Sequence, residues 1–233
     1  RRLACLPAMT SEDEFAGRDA TGLLAPGKTK SEAEARAGYW SLFGKLILLQ
    51  APCVAWPVYF VSNAAMPSLD RKFSLAHEYG LGWVFVSWFC VYLMRVYLSI
   101  NSNGARAPAR LDRPDQHVYR LMSPKADDQP FCMMVTTGAA GRFNRAQRAM
   151  YNTDETLPIF ISGLLLVGVM LGPVAVAIAL LNMYGRIKFA HLYTESKDSR
   201  TAGFMAAAIS EHLSAALVGV CAIKTLGYNV LPF

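Results

Sequence analysis

The sequence RFNRAQRAMYNTDETLPIFI, at residues 142–161, joins a strongly charged segment to the beginning of a long apolar one. Its first half holds three arginines, and an acidic pair precedes the apolar run that continues to Leu171. Pro158 lies inside this run, and proline is tolerated in a membrane helix at the cost of a kink. We therefore predict a single helix over residues 143–171, whose first part is polar and whose second part lies in lipid.

The composition supports a membrane environment for much of the chain. Apolar residues make up 53% of the 233 residues and charged residues only 17%, which is unusual for a soluble domain. The net charge of +6 is dispersed, without a Lys/Arg run that could follow phosphates, so we expect the lipid bilayer and no nucleic acid as a partner. The five cysteines lie far apart and show no metal-ligand spacing, so no metal site is predicted.

Four apolar segments are predicted to be membrane-spanning helices. They cover residues 80–100, 157–171, 173–193 and 202–226. Only Gly172 separates the second apolar run from the third, which predicts a tight antiparallel hairpin. No strand is predicted. The fold class is therefore an all-α membrane protein, a four-transmembrane-helix bundle with a possible fifth N-terminal membrane or interfacial helix.

The possible fifth helix is the apolar segment 42–61, which lysine, glutamine and two prolines interrupt. It is marginal as a membrane span, and three alternatives remain: a kinked fifth helix, a helix in the membrane interface, or a segment packed against a partner. Residues 1–76 as a whole form an N-terminal extension, partly extended in structure, which is a possible docking arm. Residues 77–233 form the four-helix membrane domain.

Charged residues also fall inside the predicted spans. Arg95 lies within two turns of the end of the first span, so we expect its side chain to reach the membrane interface. Arg186 follows a long apolar run and is expected to point into the bundle. Glu211 and His212 are adjacent and point to different sides of their helix, where they either pair with a neighbouring helix or form a proton relay.

Polar side chains recur at helical spacing in the opening stretch. Arg145, Arg148, Asn152 and Glu155 are three, four and three residues apart, which places them on one helical face that we expect to turn towards Arg186. Arginine binds carboxylates, glutamate binds an ammonium group and asparagine binds amides, so this face suits a zwitterionic ligand with carboxylates. The alternative is a solvated helix end, in which each Arg–Glu pair contributes roughly 0.2–0.5 kcal/mol.

Three stretches of the chain occur in the same order and register as in a known family. They are HEYGLGWVFVSWFCVYLMRVYLSINSNGAR (77–106), RFNRAQRAMYNTDETLPIFI (142–161) and GRIKFAHLYTESKDSR (185–200). The chain resembles the MAPEG superfamily of membrane glutathione and eicosanoid proteins over residues 77–227, and most closely its microsomal glutathione S-transferase 3 branch. The resemblance implies a left-handed four-helix bundle, usually a trimer, with glutathione between neighbouring subunits. The glutathione-binding positions that it implies are Arg106, Arg148, Asn152, Glu155, Arg186, Tyr193 and Arg200.

The chain departs from the family pattern at three positions that matter for chemistry. Ala107 stands where one branch has a thiol-activating arginine, Met150 stands where members commonly have Gln or His, and Phe189 stands where members have Tyr. A thiol, whose pKa is about 8.5, is activated by neighbouring cations and hydrogen-bond donors. The resemblance therefore implies a largely intact carboxylate site with impaired thiol activation, and no catalytic residue is assigned.

Two functions of different classes are compatible with these residues. The first is a membrane glutathione transferase or peroxidase, a homotrimer in which glutathione attacks a lipophilic electrophile or hydroperoxide. The second is a non-catalytic accessory subunit, a single copy among other membrane subunits of a large respiratory or photosynthetic complex, attached through the N-terminal extension. Both are integral membrane proteins, in the endoplasmic reticulum or in an organellar membrane, mitochondrial or plastid.

Overall fold

The computed structural model describes residues 18–19, 22–27, 29–66, 68–112, 117–122 and 131–228, so the first 17 residues of the predicted N-terminal extension lie outside the described residues. In chain order the elements are α1 (Glu32–Lys45), a π-helical turn (Leu46–Gln50), α2 (Ala51–Ala65), α3 (Leu69–Glu78), α4 (Gly82–Arg106), β1 (Tyr119–Met122), β2 (Phe131–Met134), α5 (Gly138–Met170), α6 (Gly172–Glu195) and α7 (Thr201–Thr225). Helices account for most of the described residues, as the sequence predicts.

The long helices α4 to α7 form a four-helix bundle in which α6 contacts each of the other three. Its core consists of side chains that are almost fully buried, among them Met94, Leu98, Phe160, Leu164 and Val167. Because lipid is as apolar as these side chains, close packing and buried polar contacts stabilise the bundle more than transfer from water does. The predicted all-α membrane fold is confirmed.

The helix ends differ in detail from the predicted ones. α4 extends past residue 100 to its end at Arg106. Leu171, and not Gly172, is the single residue between α5 and α6, because its φ of −132° and ψ of 57° lie outside the helical region. Gly172 and Pro173 then begin α6, where the missing N–H of proline breaks no helical hydrogen bond. The hairpin between the two spans is as tight as predicted.

Glycine permits a close contact between α6 and α7. A Cβ atom on Gly203 would collide with the backbone nitrogen of Phe189, and a Cβ atom on Gly185 would lie 2.5 Å from the backbone nitrogen of Ala207. Small residues at such positions let membrane helices approach closely and increase the packing contacts between them. These two glycines therefore set the distance between α6 and α7.

Five helical segments among the described residues are long and apolar enough to cross a membrane: Glu32–Ala65, Gly82–Arg106, Gly138–Met170, Gly172–Glu195 and Thr201–Thr225. The first of them is a continuous helix of 34 residues that contains the marginal segment 42–61, and none of its apolar window is buried. Ala51 separates its π-helical turn from Pro52, which has no N–H and therefore interrupts the regular hydrogen-bond ladder. Length and composition favour the fifth-helix alternative for this segment.

The N-terminal extension is anchored to the bundle through α1. The guanidinium of Arg142 on α5 donates to both carboxylate oxygens of Glu32, at 2.7 and 3.0 Å, and to both of Glu195, at 2.6 and 2.7 Å. Arg36 of α1 donates to Asn101 Oδ1 of α4 at 2.7 Å. α1 therefore lies against helices of its own chain, and a docking role for the extension towards another protein stays a prediction.

The prediction that no strand occurs is wrong, because β1 and β2 form an antiparallel hairpin. The side chain of Asn144 holds its base: Nδ2 donates to the carbonyl oxygens of Val118 and Val135 at 2.7 and 2.8 Å, and Oδ1 accepts from the Val118 N–H at 2.9 Å. Each strand has only four residues, which is too short for a recognisable alternation. Their pairing depends on a side chain of α5, so the local sequence carries no signal for it.

Arg95 forms an ion pair with Asp154 of α5, and its predicted reach to the membrane interface stays a prediction. Because α4 continues to Arg106, Arg95 lies about three turns before the helix end. Its guanidinium donates to both oxygens of Asp154 on α5, at 2.7 and 3.0 Å, and to Ser99 Oγ at 2.6 Å. An ion pair with the neighbouring helix therefore compensates its charge, while 33% of the side chain stays exposed.

We expect Gly203→Ala to lower the free energy of unfolding by about 1–3 kcal/mol, because the added methyl group forces α7 away from the backbone of Phe189. Gly219→Ala is the matched control on the same helix. No heavy atom lies within 4 Å of a Cβ atom there, and alanine favours a helix over glycine by up to about 1 kcal/mol. Thermal unfolding of the protein in detergent measures both variants, and equal effects would contradict this account of the α6–α7 contact.

Candidate functional site

A buried polar cluster lies where α5, α6 and α7 meet. Arg186, which is only 3% exposed, donates from Nη1 to Asn152 Oδ1 at 2.9 Å and from Nη2 to Thr156 Oγ1 at 2.6 Å. The same Nη2 forms an ion pair with Glu211 of α7. Glu211 also accepts a hydrogen bond from Asn182 Nδ2 at 3.3 Å. Arg186 therefore points into the bundle, as its position after an apolar run predicts.

The ion pair with Glu211 limits what Arg186 can bind. A buried charge is tolerated when it is paired and hydrogen-bonded, and Glu211 supplies the opposite charge from the neighbouring helix. Of the two alternatives for Glu211, pairing is thus the one observed, while the adjacent His212 is exposed and contacts the Ala208 carbonyl oxygen of its own helix at 2.8 Å. Because Arg186 occupies Oδ1 of Asn152, the Nδ2 donors are the atoms that Asn152 can offer to a ligand.

A cavity of about 270 Å³ opens beside this cluster. Its lining residues are Asn152, Phe189, Arg200, Thr201 and Phe204. The Arg200 guanidinium lies over the Tyr193 ring, 5.4 Å from its centre, and the Phe189 ring stacks on Tyr193 with 5.5 Å between the ring centres. The structure therefore brings together four of the predicted site residues: Asn152, Arg186, Tyr193 and Arg200.

Arg148 and Glu155 instead form an ion pair on the outer surface of α5, with Nη1 2.6 Å from Oε1 and side-chain exposures of 44% and 53%. Arg145 turns towards α6, where Nη2 donates to the Thr194 carbonyl oxygen at 3.0 Å, and its Nη1 donates to that of Thr136 at 2.6 Å. The predicted single face is therefore divided. At about 100° per residue the four positions span an arc of roughly 80°, and α6 meets Arg145 and Asn152 while Arg148 and Glu155 pair at the edge of that arc.

Arg106 lies away from this cavity within the chain. Its Nη1 donates to the Asp112 carbonyl oxygen at 2.9 Å, and its guanidinium carbon lies 4.8 Å from the centre of the Phe143 ring. It lines a second cavity, formed between α1 and the end of α4.

The three positions that depart from the family pattern supply no polar side chain to the site. Phe189 is 4% exposed and contacts the rings of Tyr193 and Phe204. Met150 packs against the apolar core of the bundle. Ala107 is the C-cap residue of α4 and lies in the wall of the second cavity. At position 189 a thiol bound in the first cavity would therefore meet aromatic carbon, and the hydroxyl group in the cavity wall is that of Thr201.

His117, which the sequence did not indicate, lies against Tyr151 of α5 and lines neither of the two cavities. Its ring centre lies 5.4 Å from that of Tyr151 on α5, and its buried Nε2 has no hydrogen-bond partner among the described residues. Burial, with the positive charge of Arg148, lowers the pKa of His117, so the imidazole is neutral at pH 7. His117 precedes β1, far from α5 in sequence, and no helical spacing could have placed it there.

Within the described ranges, no group of three His, Cys, Asp or Glu residues could hold a metal ion.

The comparison with protein families decides what kind of protein this is. The family model described as the MAPEG family matches residues 82–219, which is more than half of the chain. The chain belongs to the MAPEG family. A search of the curated proteins finds no match. MAPEG proteins are membrane helical bundles that use glutathione and are often trimers. This MAPEG chain is an integral membrane protein. Its helices α1, α2 and α3 lie outside the matched residues.

We expect Glu211→Leu to lower the free energy of unfolding by about 3–5 kcal/mol, because it leaves the buried Arg186 guanidinium without an opposite charge. The double variant Arg186→Met/Glu211→Leu removes both charges and should recover most of this loss. Chemical unfolding in detergent of the two single variants and the double variant gives the coupling free energy. Additive losses would show that the two side chains do not stabilise each other.

Proposed function

We propose that this MAPEG chain is a membrane glutathione-binding protein of the transferase or peroxidase type, in which glutathione binding is retained and thiol activation is weak. The observation that carries the proposal is the cavity lined by Asn152 and Arg200, one helical turn from the exposed Arg148–Glu155 pair. Together these residues offer two guanidinium groups, one carboxylate and one amide. Glutathione, a tripeptide with two carboxylates and one ammonium group, matches that set.

The size of the cavity suggests how glutathione would lie. About 270 Å³ is slightly below the usual range for small-molecule sites, so the cavity takes one end of the tripeptide, beside Arg200. The other end extends over the outer surface of α5 towards Arg148 and Glu155. An ion pair between side chains this exposed contributes little, so each can turn to the ligand at small cost. The Tyr193 ring holds the Arg200 guanidinium in place by a cation–π contact.

The proposed reaction is attack by the glutathione sulfur on a lipophilic electrophile or hydroperoxide that enters from the bilayer. The thiol must first lose its proton, which cations and hydrogen-bond donors close to the sulfur favour. Glu211 neutralises Arg186, and Phe189 offers no hydroxyl group, so Arg200 is the cation in the cavity wall that remains for this task. We therefore propose that bound glutathione stays largely protonated at neutral pH.

A homotrimer fits the proposal. Arg106 of one copy would then approach the Asn152 cavity of its neighbour, with glutathione bound between them. The ion pairs Arg148–Glu155 and Arg95–Asp154 are partly exposed on a bundle that crosses the membrane. Charged side chains are costly in contact with lipid, so a neighbouring subunit on this surface would account for their exposure.

An accessory subunit of a larger membrane complex is the second candidate, and one observation favours it. The continuous helix Glu32–Ala65 exposes large apolar side chains, among them Val54, Phe60 and Val61, and belongs to the part of the chain outside the family match. Another membrane subunit would cover this apolar surface just as effectively as lipid. In this alternative the N-terminal extension attaches the bundle to a respiratory or photosynthetic complex in a mitochondrial or plastid membrane. A glutathione-dependent enzyme would be compatible with these membranes and also with the endoplasmic reticulum.

We expect glutathione bound to the unmodified protein to show little or no ultraviolet absorbance from a thiolate at neutral pH. Phe189→Tyr alone should not restore the absorbance, because Ala107 still supplies no positive charge. Difference spectroscopy with S-methylglutathione, which binds without a titratable thiol, provides the baseline. A strong thiolate band in the unmodified protein would contradict impaired activation and favour an active enzyme.

We expect Arg200→Met to weaken glutathione binding at least tenfold, because a charge-assisted hydrogen bond contributes about 1.5–3 kcal/mol. Lys197→Met is the matched control, since Lys197 lies in the same loop between α6 and α7 but does not line the cavity. Isothermal titration calorimetry in detergent measures both affinities. Equal affinities would exclude Arg200 from the site, and no binding by the unmodified protein would favour the accessory subunit.

A further inference from the structure

The N-terminal extension encloses the second cavity at the polar end of the bundle, called here the arm cavity. It has a volume of about 440 Å³, within the range of small-molecule sites. One wall is formed by α1, with Tyr39 and Leu42, and the other by the end of α4 and the residues after it, with Arg106 and Leu111. The family match begins at residue 82, so eight of the twelve residues that line the cavity come from outside the family region.

The arm cavity carries a net positive charge. Lys30 and Arg106 contribute two cations to its wall, and Glu34 contributes one carboxylate. That carboxylate is already engaged, because it accepts hydrogen bonds from the Ser31 N–H and hydroxyl at 2.9 and 2.7 Å and thereby caps α1. The Phe143 ring, 4.8 Å from the Arg106 guanidinium carbon, helps to hold that side chain in position. The cavity is therefore suited to an anionic group.

Much of the remaining wall is apolar and continues onto a surface that faces lipid. Leu24 and Leu111 line the cavity together with Leu42, which is half-exposed on α1. Beyond Leu42 the same helix exposes Leu46 and Leu49 in turn. These residues belong to the helical segment whose apolar window has no buried residue. A hydrocarbon chain that leaves the cavity along α1 therefore stays in contact with apolar side chains until it reaches the bilayer.

We propose that the arm cavity binds a single-chain anionic amphiphile, such as a fatty acid or a lysophosphatidate. Lys30 and Arg106 hold its carboxylate or phosphate, and its hydrocarbon chain passes Leu42 and follows α1 into the bilayer. Hydrogen bonds between such cations and an oxyanion are the stronger class, and the chain excludes water from the apolar wall. Most of the site belongs to the N-terminal extension, and Arg106 is the residue that it would share with a glutathione site formed between two copies of the chain.

Two glycines of α1 provide a matched pair of variants for the test. No heavy atom lies within 4 Å of a Cβ atom on either Gly38 or Gly44, and of the two only Gly38 lines the arm cavity. Gly38→Leu therefore fills the cavity without a clash, and Gly44→Leu makes the same change outside it. Leucine favours a helix over glycine, so neither variant weakens α1. A second pair of variants tests the role of charge. Lys30→Glu reverses a charge in the cavity wall, and Lys45→Glu makes the same change on the same segment outside the cavity.

The probe is a photoactivatable diazirine analogue of oleic acid, added to membranes that contain the full chain, with cross-links located by peptide mass spectrometry. We expect cross-links within residues 29–42 and 103–111. Gly38→Leu and Lys30→Glu should each reduce them at least about tenfold, and the two control variants should leave them unchanged. Excess oleate or oleoyl lysophosphatidate should suppress the cross-links, whereas neutral oleyl alcohol should not. The stronger of the two anionic competitors identifies the head group that the cavity prefers.

Equal cross-linking of Gly38→Leu and Gly44→Leu would overturn the arm cavity as the site. Suppression by oleyl alcohol as strong as that by oleate would overturn recognition of the head group by Lys30 and Arg106. Circular dichroism reports whether each variant folds. The steric variant Gly38→Leu and the charge variant Lys30→Glu test the proposal independently of each other.

Discussion

The buried guanidinium of Arg186 is the constraint on which the membrane bundle depends. A charge in a bundle without water must be matched by an opposite charge and by hydrogen bonds, and Arg186 obtains these from Asn152 and Thr156 on α5 and from Glu211 on α7. Because Arg186 itself lies on α6, the arrangement of three helices follows from the bonds of one side chain. The glycine at position 203 is compatible with this arrangement, since it lets the backbones of α6 and α7 approach closely.

The same constraint determines where positive charge remains accessible to a ligand. Arg186 is neutralised inside the bundle, whereas Arg200 lies in a cavity wall and Arg148 lies on the outer surface of α5. Accessible guanidinium groups suit the carboxylates of a peptide-like ligand, which stay partly hydrated. A sulfur atom bound against Phe189 would meet aromatic carbon on that side, where a tyrosine would offer a hydroxyl group. The proposal of glutathione binding without strong thiol activation rests on this arrangement.

Two cavities of different origin occupy the polar end of the protein. One is formed by α5, α6 and the start of α7, within the residues that the MAPEG family model matches. The other requires α1, which stays against the bundle because Arg142 binds both Glu32 and Glu195. Within one chain Arg106 belongs to this second cavity, so a position that the family resemblance assigns to glutathione has neighbours from the N-terminal extension.

The sequence by itself determined the membrane character, the four spans and the inward direction of Arg186, because hydropathy and helical spacing are local properties that persist whatever the neighbours are. It also identified the polar positions of α5, but not which neighbour each side chain meets. Only the tertiary structure decided that Glu211 neutralises Arg186, that Asp154 pairs with Arg95 and that Asn144 closes a β-hairpin. Each of these contacts joins residues of different elements, and their distance through space depends on how the helices pack, which no local pattern encodes.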